Sequence, residues 1–343
     1  VTYLRLKAIS IFLMFVYLSC AGFFKSIKNT RTPMTIFSIG ACFFIVFDIL
    51  LVNGNEVIPS YGLIGSAYAS IIQYTVMVGL CMGLVYTKYR KNDYQIRFLQ
   101  WPTLKEMTLI FNITWPVIID KICLAVGFIW LAMMISLIGD TSLASFTVLR
   151  DMLGLALIPS QAAGHVISFI ASNEAGKQKW KSILIHLQKI IWLTIAIEVV
   201  VFAFILINSW KLFGYFDPEE AYSGLAVWTF SLLSILIIAD LLQLTLAGAL
   251  RGIGRVNVVM WARISTIFGF FLPASYWVAH ADGIDGNYRF LILFSMLYVT
   301  FFLMAAIYLW IFNFSNWQVR TLEQPSTPSL KPSFNKKKVV SEV

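Results

Sequence analysis

The sequence predicts an all-α protein that crosses a membrane many times, and three observations carry the prediction. Of the 343 residues, 59% are hydrophobic and 13% charged, about half the charged share of an ordinary soluble domain. The apolar residues gather into nine runs of about twenty residues or more, the length a helix needs to cross a hydrocarbon core of about 30 Å. The basic residues fall in alternate gaps between those runs. A soluble helical bundle would need polar stripes at 3.6-residue spacing, and the runs lack them.

The runs lie at about 4–24, 33–53, 62–87, 113–139, 143–171, 183–209, 221–250, 256–279 and 287–313. With the first gap placed inside, the inner segments carry Lys25, Lys28 and Arg31, then Lys88, Arg90, Lys91, Arg97 and Lys105. Further on they carry Lys177, Lys179 and Lys181, then Arg251 and Arg255. The outer segments carry Glu56, Asp140, Asp217, Glu219, Glu220, Asp282 and Asp285, with Lys211 their one basic residue well clear of a span. This is the positive-inside distribution, and it places the C-terminus in the cytoplasm of a plasma membrane, most simply a bacterial inner membrane. Arg5 and Lys7, at the outer end of the first span, fit it poorly. The distribution absorbs the net charge of +9, so no nucleic-acid partner is needed. Cys20, Cys42, Cys81 and Cys123 lie inside apolar runs at no ligand spacing and read as small buried hydrophobes. Residues 316–343, rich in Pro, Ser and Lys, read as a disordered basic cytoplasmic tail.

An internal repeat organises the spans. Gly22-Phe23-Phe24-Lys25-Ser26-Ile27-Lys28-Asn29 aligns without gaps on Gly248-Ala249-Leu250-Arg251-Gly252-Ile253-Gly254-Arg255, and Met34 then falls on Met260. Gly62 to Gly65 is echoed by Gly283 to Gly286. Spans one to three therefore match spans seven to nine in the same orientation, which gives a repeat unit of six helices. On that reading three helices precede residue 1, and the absent initiator methionine agrees with it. The expected organisation is a partial N-lobe of three spans at 1–90 and a cytoplasmic inter-lobe linker with an amphipathic lead-in at 91–112. A six-span C-lobe at 113–315 and the tail at 316–343 complete it. Parallel repeats of this kind typify transporters whose halves rock about a central site.

Asn29-Thr30-Arg31-Thr32-Pro33-Met34, Leu250-Arg251-Gly252-Ile253-Gly254 and Asn173-Glu174-Ala175-Gly176 resemble elements of the multidrug and toxic compound extrusion (MATE) family. The resemblance covers about residues 2–315 and implies that the nine spans are helices 4–12 of a two-lobe, six-plus-six transporter, N-terminally truncated. Arg251 and its glycines need no phosphate-binding reading, since no Walker-type Lys-Ser/Thr follows them.

Ionisable residues inside the membrane are costly and therefore candidates for function. Asp240 lies eleven residues before Arg251, about 16 Å along a helix and so near the midplane. Its spacing to the following glycines matches the family pattern in which an aspartate of the tenth helix helps bind Na⁺ or H⁺, and Gln243 matches on the same face. A carboxylate in a low-dielectric setting is suited to exchanging a proton or cation. The structural alternative is an ion pair between Asp240 and Arg263, which lies eight residues past Arg255. Asp120 and Arg263 are possible supporting residues. Many family members carry a glutamate at the position that falls on Leu124 here, and Asp120 is one turn away on the same face. Lys121 can snorkel to the inner face. Glu198 reads as a hydrogen-bonded structural acid, and Arg150-Asp151 as a local charge pair.

The resemblance implies a secondary antiporter that exports organic, often cationic, compounds against inward Na⁺ or H⁺. It acts as a monomer in the bilayer, without a cofactor or bound metal. The alternatives are a flippase for lipid-linked or polysaccharide precursors, as in related branches of the superfamily, and a non-transporting remnant. An enzyme is not expected: His165, His186 and His280 are far apart and no HExxH occurs.

Overall fold

The computed structural model describes residues 2–27, 29–54, 59–89, 103–217, 223–234, 236–281 and 283–314. Lys28, Glu56, the linker residues 90–102, the acidic residues Glu219 and Glu220, Asp282 and the tail 316–343 lie outside the described residues. The described residues are mainly helical, with no strand among them, and the chain divides into two compact units, Val1–Pro102 and Thr103–Val343.

The first unit holds α1 (Thr2–Ser26), α2 (Arg31–Asn53) and α3 (Leu63–Leu84), which runs into a π-helical turn at Val85–Tyr89. The Asn29–Pro33 motif builds the start of α2. Asn29 Oδ1 accepts the Thr32 N–H at 3.2 Å, and the Tyr17 hydroxyl of α1 donates to the Pro33 carbonyl at 3.2 Å. Helix α3 packs against both α1 and α2 around Tyr17, Phe24, Ile36 and Met77. Lys7, awkward in the charge pattern, donates from Nζ to Ser70 Oγ at 2.8 Å, so its ammonium is satisfied between α1 and α3.

The second unit holds α4 (Leu104–Ser136), α5 (Asp140–Ala156), α6 (Ile158–Gly176), α7 (Trp180–Ile207), α8 (Ser209–Gly214) and α9 (Ser223–Leu233). It continues through α10 (Ile238–Gly252), α11 (Val256–Thr266), a π-helical turn at Ile267–Phe271, α12 (Leu272–Ala279) and α13 (Gly286–Phe314). Residues 104–112, grouped with the linker in the sequence reading, are instead the opening turns of α4. A capping box explains why the helix starts that early: Thr103 N–H donates to Glu106 Oε2 at 2.8 Å, and Glu106 N–H to Thr103 Oγ1 at 3.4 Å.

Among the described residues seven helices are long and apolar enough to cross a membrane, or nine if two bent pairs each count as one span. The nine-run reading holds only with those pairs, α5–α6 and α9–α10. The first pair bends by 47° at Leu157, two residues before Pro159 in the first turn of α6. Proline has no N–H to continue the ladder and its ring crowds the preceding turn, so the helix must break there. Pro273 interrupts the ladder of the eighth span without breaking it, and the span stays continuous through the π-helical turn at Ile267–Phe271. Inside the unit, α10 packs on α6, α13 and α7, and α11 packs on α4. Helix α13 contacts both α10 and the α11–α12 span, the same pairing that α3 makes with α1 and α2. Outward, α7 presents Trp192, Leu193, Val199, Val200 and Phe204, a surface suited to lipid.

Candidate functional site

The site grows from the contact between α6 and α10. A side-chain carbon at Gly248 would collide with the Gly164 carbonyl, and one at Gly252 with the Ser168 carbonyl. Small residues here let the two backbones touch, as membrane helix pairs require in the absence of a hydrophobic drive. Gly22, paired with Gly248 by the repeat, has no described atom within 4 Å of where its side chain would begin. Gly254 serves a different need: its φ of 83° turns the chain from α10 into α11.

Beside this contact lies a cavity of about 470 Å³, walled by α4, α5, α6, α10 and α13. Its apolar wall includes Leu124, Phe128, Leu297 and Phe301, and its polar wall includes Gln161, His165, Asp240 and Gln243. Lys121, Arg150 and Arg251 also reach it.

Asp240 stands in the first turn of α10, where the helix dipole favours negative charge. It is 8% exposed, at the cavity wall. Gln243 Nε2 donates to Asp240 Oδ1 at 2.9 Å, while Oδ2 accepts no hydrogen bond among the described residues. Gln243 Oε1 in turn accepts from Arg263 Nη2 at 3.3 Å.

The direct Asp240–Arg263 pair is not formed. Arg263, buried in α11, bonds through Nε to Asp120 Oδ1, and Arg251 Nη2 meets Asp120 Oδ2 at 2.7 Å. Because α4 packs on α11, it brings a buried carboxylate to the guanidinium, and among the described residues Gln243 alone links Arg263 to Asp240. The result is one chain of contacts: Asp240, Gln243, Arg263, Asp120, Arg251. Asp120 lies behind the cavity wall, while Lys121, the next residue round the helix, lines it.

The sequence reading brought Asp240, Gln243, Asp120 and Arg263 forward, and the structure joins all four. It missed Arg251 as a partner of Asp120, having assigned it only to the hairpin. It had Lys121 among the few basic residues able to reach a cavity, and Lys121 does line the wall. Both placements have a signal in the spacing: Val117, Lys121, Leu124 and Phe128 share one helical face, as do Leu244, Gly248 and Arg251. Glu198 is buried in α7 and accepts a hydrogen bond from the Ser160 hydroxyl of α6, and Arg150 meets Asp151 at 3.1 Å on the exposed side. Among the described residues no group of three or more His, Cys, Asp or Glu could hold a metal ion.

The fold and site define a class: an integral membrane protein of helical spans, some broken, that converge on a cavity bearing a buried carboxylate. Residues 116–277 match the family model described as MatE. Over 289 residues the chain is 22% identical to the probable multidrug resistance protein YoeA of Bacillus subtilis, covering 81% of this chain and 60% of that protein. With the multidrug resistance protein NorM of Vibrio vulnificus it shares 23% identity, over 75% of this chain and 58% of the relative. The fold matches a MOP superfamily transporter from Pyrococcus furiosus with a TM-score of 0.78 at 16% identity, over 95% of this chain and 70% of that one. It also matches a mutant form of the Vibrio cholerae MATE transporter VcmN, with a TM-score of 0.78 at 15% identity, over 92% and 70%. These matches show a resemblance to the multidrug and toxic compound extrusion family. The chain spans about 60% of the length of the curated relatives it matches.

Proposed function

We propose that this chain works in a secondary antiporter that exports organic compounds from the cell against inward Na⁺ or H⁺, acting as a monomer in the plasma membrane with its C-terminus in the cytoplasm. One observation carries the reading: Asp240 is a buried carboxylate at a cavity wall, with one oxygen held by Gln243 and the other open to take a proton or cation. Loading that oxygen removes or compensates the charge. Because Gln243 holds Asp240 on one side and Arg263 on the other, the change passes to the arginine and the Asp120 pair behind it. An ion shifts a conformational equilibrium only through such a difference between loaded and empty states. The names of the relatives, multidrug resistance proteins of bacteria, agree with export of foreign compounds.

Efflux from proteoliposomes under an imposed Na⁺ or H⁺ gradient tests the proposal. Asp240→Asn keeps the size and the Gln243 contact but loses the charge, and gradient-driven efflux is expected to disappear while the protein stays folded. Unchanged efflux in this variant would remove Asp240 from coupling.

A further inference from the structure

Lys121 stands apart from the charge network around it. Its sequence neighbour Asp120 has both oxygens occupied, one by Arg251 and the other by Arg263. The Lys121 ammonium makes no hydrogen bond or ion pair among the described residues. It is exposed, and it shares its helical face with Val117, Leu124 and Phe128, which line the same cavity. The other charges on that wall are engaged: Arg251 with Asp120, Arg150 with Asp151 at 3.1 Å, and Asp240 with Gln243. Among the described residues the wall therefore offers one cation without a partner and one acid, the acid being committed to the coupling ion in the reading above.

We propose that this cavity binds an apolar, ring-bearing organic anion whose acidic group, a carboxylate, sulfonate or phosphate, is held by Lys121. The proposal rests on the transport reading and assigns its cargo a charge opposite to the cationic one that family resemblance implies. The size fits, since a cavity of about 470 Å³ lies in the range of drug-sized ligands, and Phe128, Leu297 and Phe301 give the ring system an apolar bed. An organic cation would meet an unpaired ammonium here and would compete with the coupling ion for Asp240. An anion gains a charge-assisted hydrogen bond from Lys121 and leaves Asp240 free to load.

Carboxyfluorescein and rhodamine 123 test the idea, since they share a xanthene frame and differ in the sign of their charge. Binding of each to the purified chain in an uncharged detergent is read by fluorescence anisotropy. The anion is expected to bind more tightly than the cation, with an affinity that falls as ionic strength rises. Lys121→Gln should weaken it roughly tenfold or more, as loss of a hydrogen bond to a charged group implies. Lys121→Arg should keep most of the affinity. Lys189→Gln, the same charge change on α7 away from the cavity, should leave it unaltered. If Lys121→Gln does not fold, the salt dependence of the wild-type protein and the comparison of the two dyes still decide. Tighter binding of rhodamine 123, or anion binding indifferent to Lys121 or to salt, overturns the proposal and leaves the transport reading standing. Failure of both dyes to bind overturns the proposal and takes the small-molecule cavity of the transport reading with it.

Discussion

A buried carboxylate that answers two guanidinium groups has a different role from one that answers a single amide. Asp120 is the first kind and Asp240 the second. Removing the charge of Asp120 leaves Arg263 buried without its partner and Arg251 half free. Breaking a buried pair in that way costs about 3–5 kcal/mol. Asp120→Asn should therefore lower the melting temperature in detergent sharply, and adding Arg263→Gln should restore much of the loss. Asp240→Asn changes one hydrogen bond from charged to neutral, so its stability cost should stay within about 1–2 kcal/mol. Thermal unfolding of the three variants separates these roles, and equal losses in Asp120→Asn and Asp240→Asn would contradict the assignment. Asp240 and Gln243 were legible because their spacing to Arg251 and the glycines matched a known pattern. The partner of Arg263 was not legible, since sequence separation does not reveal that residues 120 and 263 meet across α4 and α11.

Helix pairing explains why glycine recurs in the stretch Leu244 to Gly254. Gly248 and Gly252 sit where α10 meets the backbone of α6, whereas Gly79, on α3, faces open space. Gly248→Ala forces a methyl group into the Gly164 carbonyl, and overpacking of this kind costs about 1–3 kcal/mol. Gly79→Ala should instead gain roughly 0.5–1 kcal/mol of helix propensity. Melting temperatures in detergent should thus move in opposite directions, and a stabilised Gly248→Ala would show that α6 and α10 are not held in contact. Of the glycines after Arg251, Gly254 turns the chain with its positive φ, while Gly252 still belongs to α10. The two broken spans also differ. Pro159 announces the first, but the second, before α10, contains neither proline nor glycine between Leu233 and Ile238. Nothing local in the sequence marks that break, although it puts Asp240 in the first turn of a helix rather than midway along one.

At the scale of the whole chain, hydropathy made nine spans legible, while the number of crossings turns on how the bent pairs run. A re-entrant loop must reverse its direction, and a bend of 47° between α5 and α6 does not do so. At 1.5 Å per residue the two arms measure about 26 and 28 Å, together long enough to cross a bilayer with its headgroups. The α5–α6 pair therefore counts as one crossing, and the charge pattern, Asp217 before α9 and Arg255 after α10, expects the same of α9–α10. The basic residues near Lys179 and Arg255 then belong on one side of the membrane, and Thr141 and Tyr215 on the other, with the basic side in the cytoplasm. Single cysteines at these four positions, in a background where Cys20, Cys42, Cys81 and Cys123 are replaced, check this directly. With a membrane-impermeant maleimide, Thr141→Cys and Tyr215→Cys should react on intact cells. Lys179→Cys and Arg255→Cys should react only after permeabilisation. If Thr141→Cys and Lys179→Cys label from the same side, α5 and α6 form a re-entrant loop and the count of nine fails. If all four sites label with the sides exchanged, the crossings stand and the cytoplasmic placement of the basic side fails.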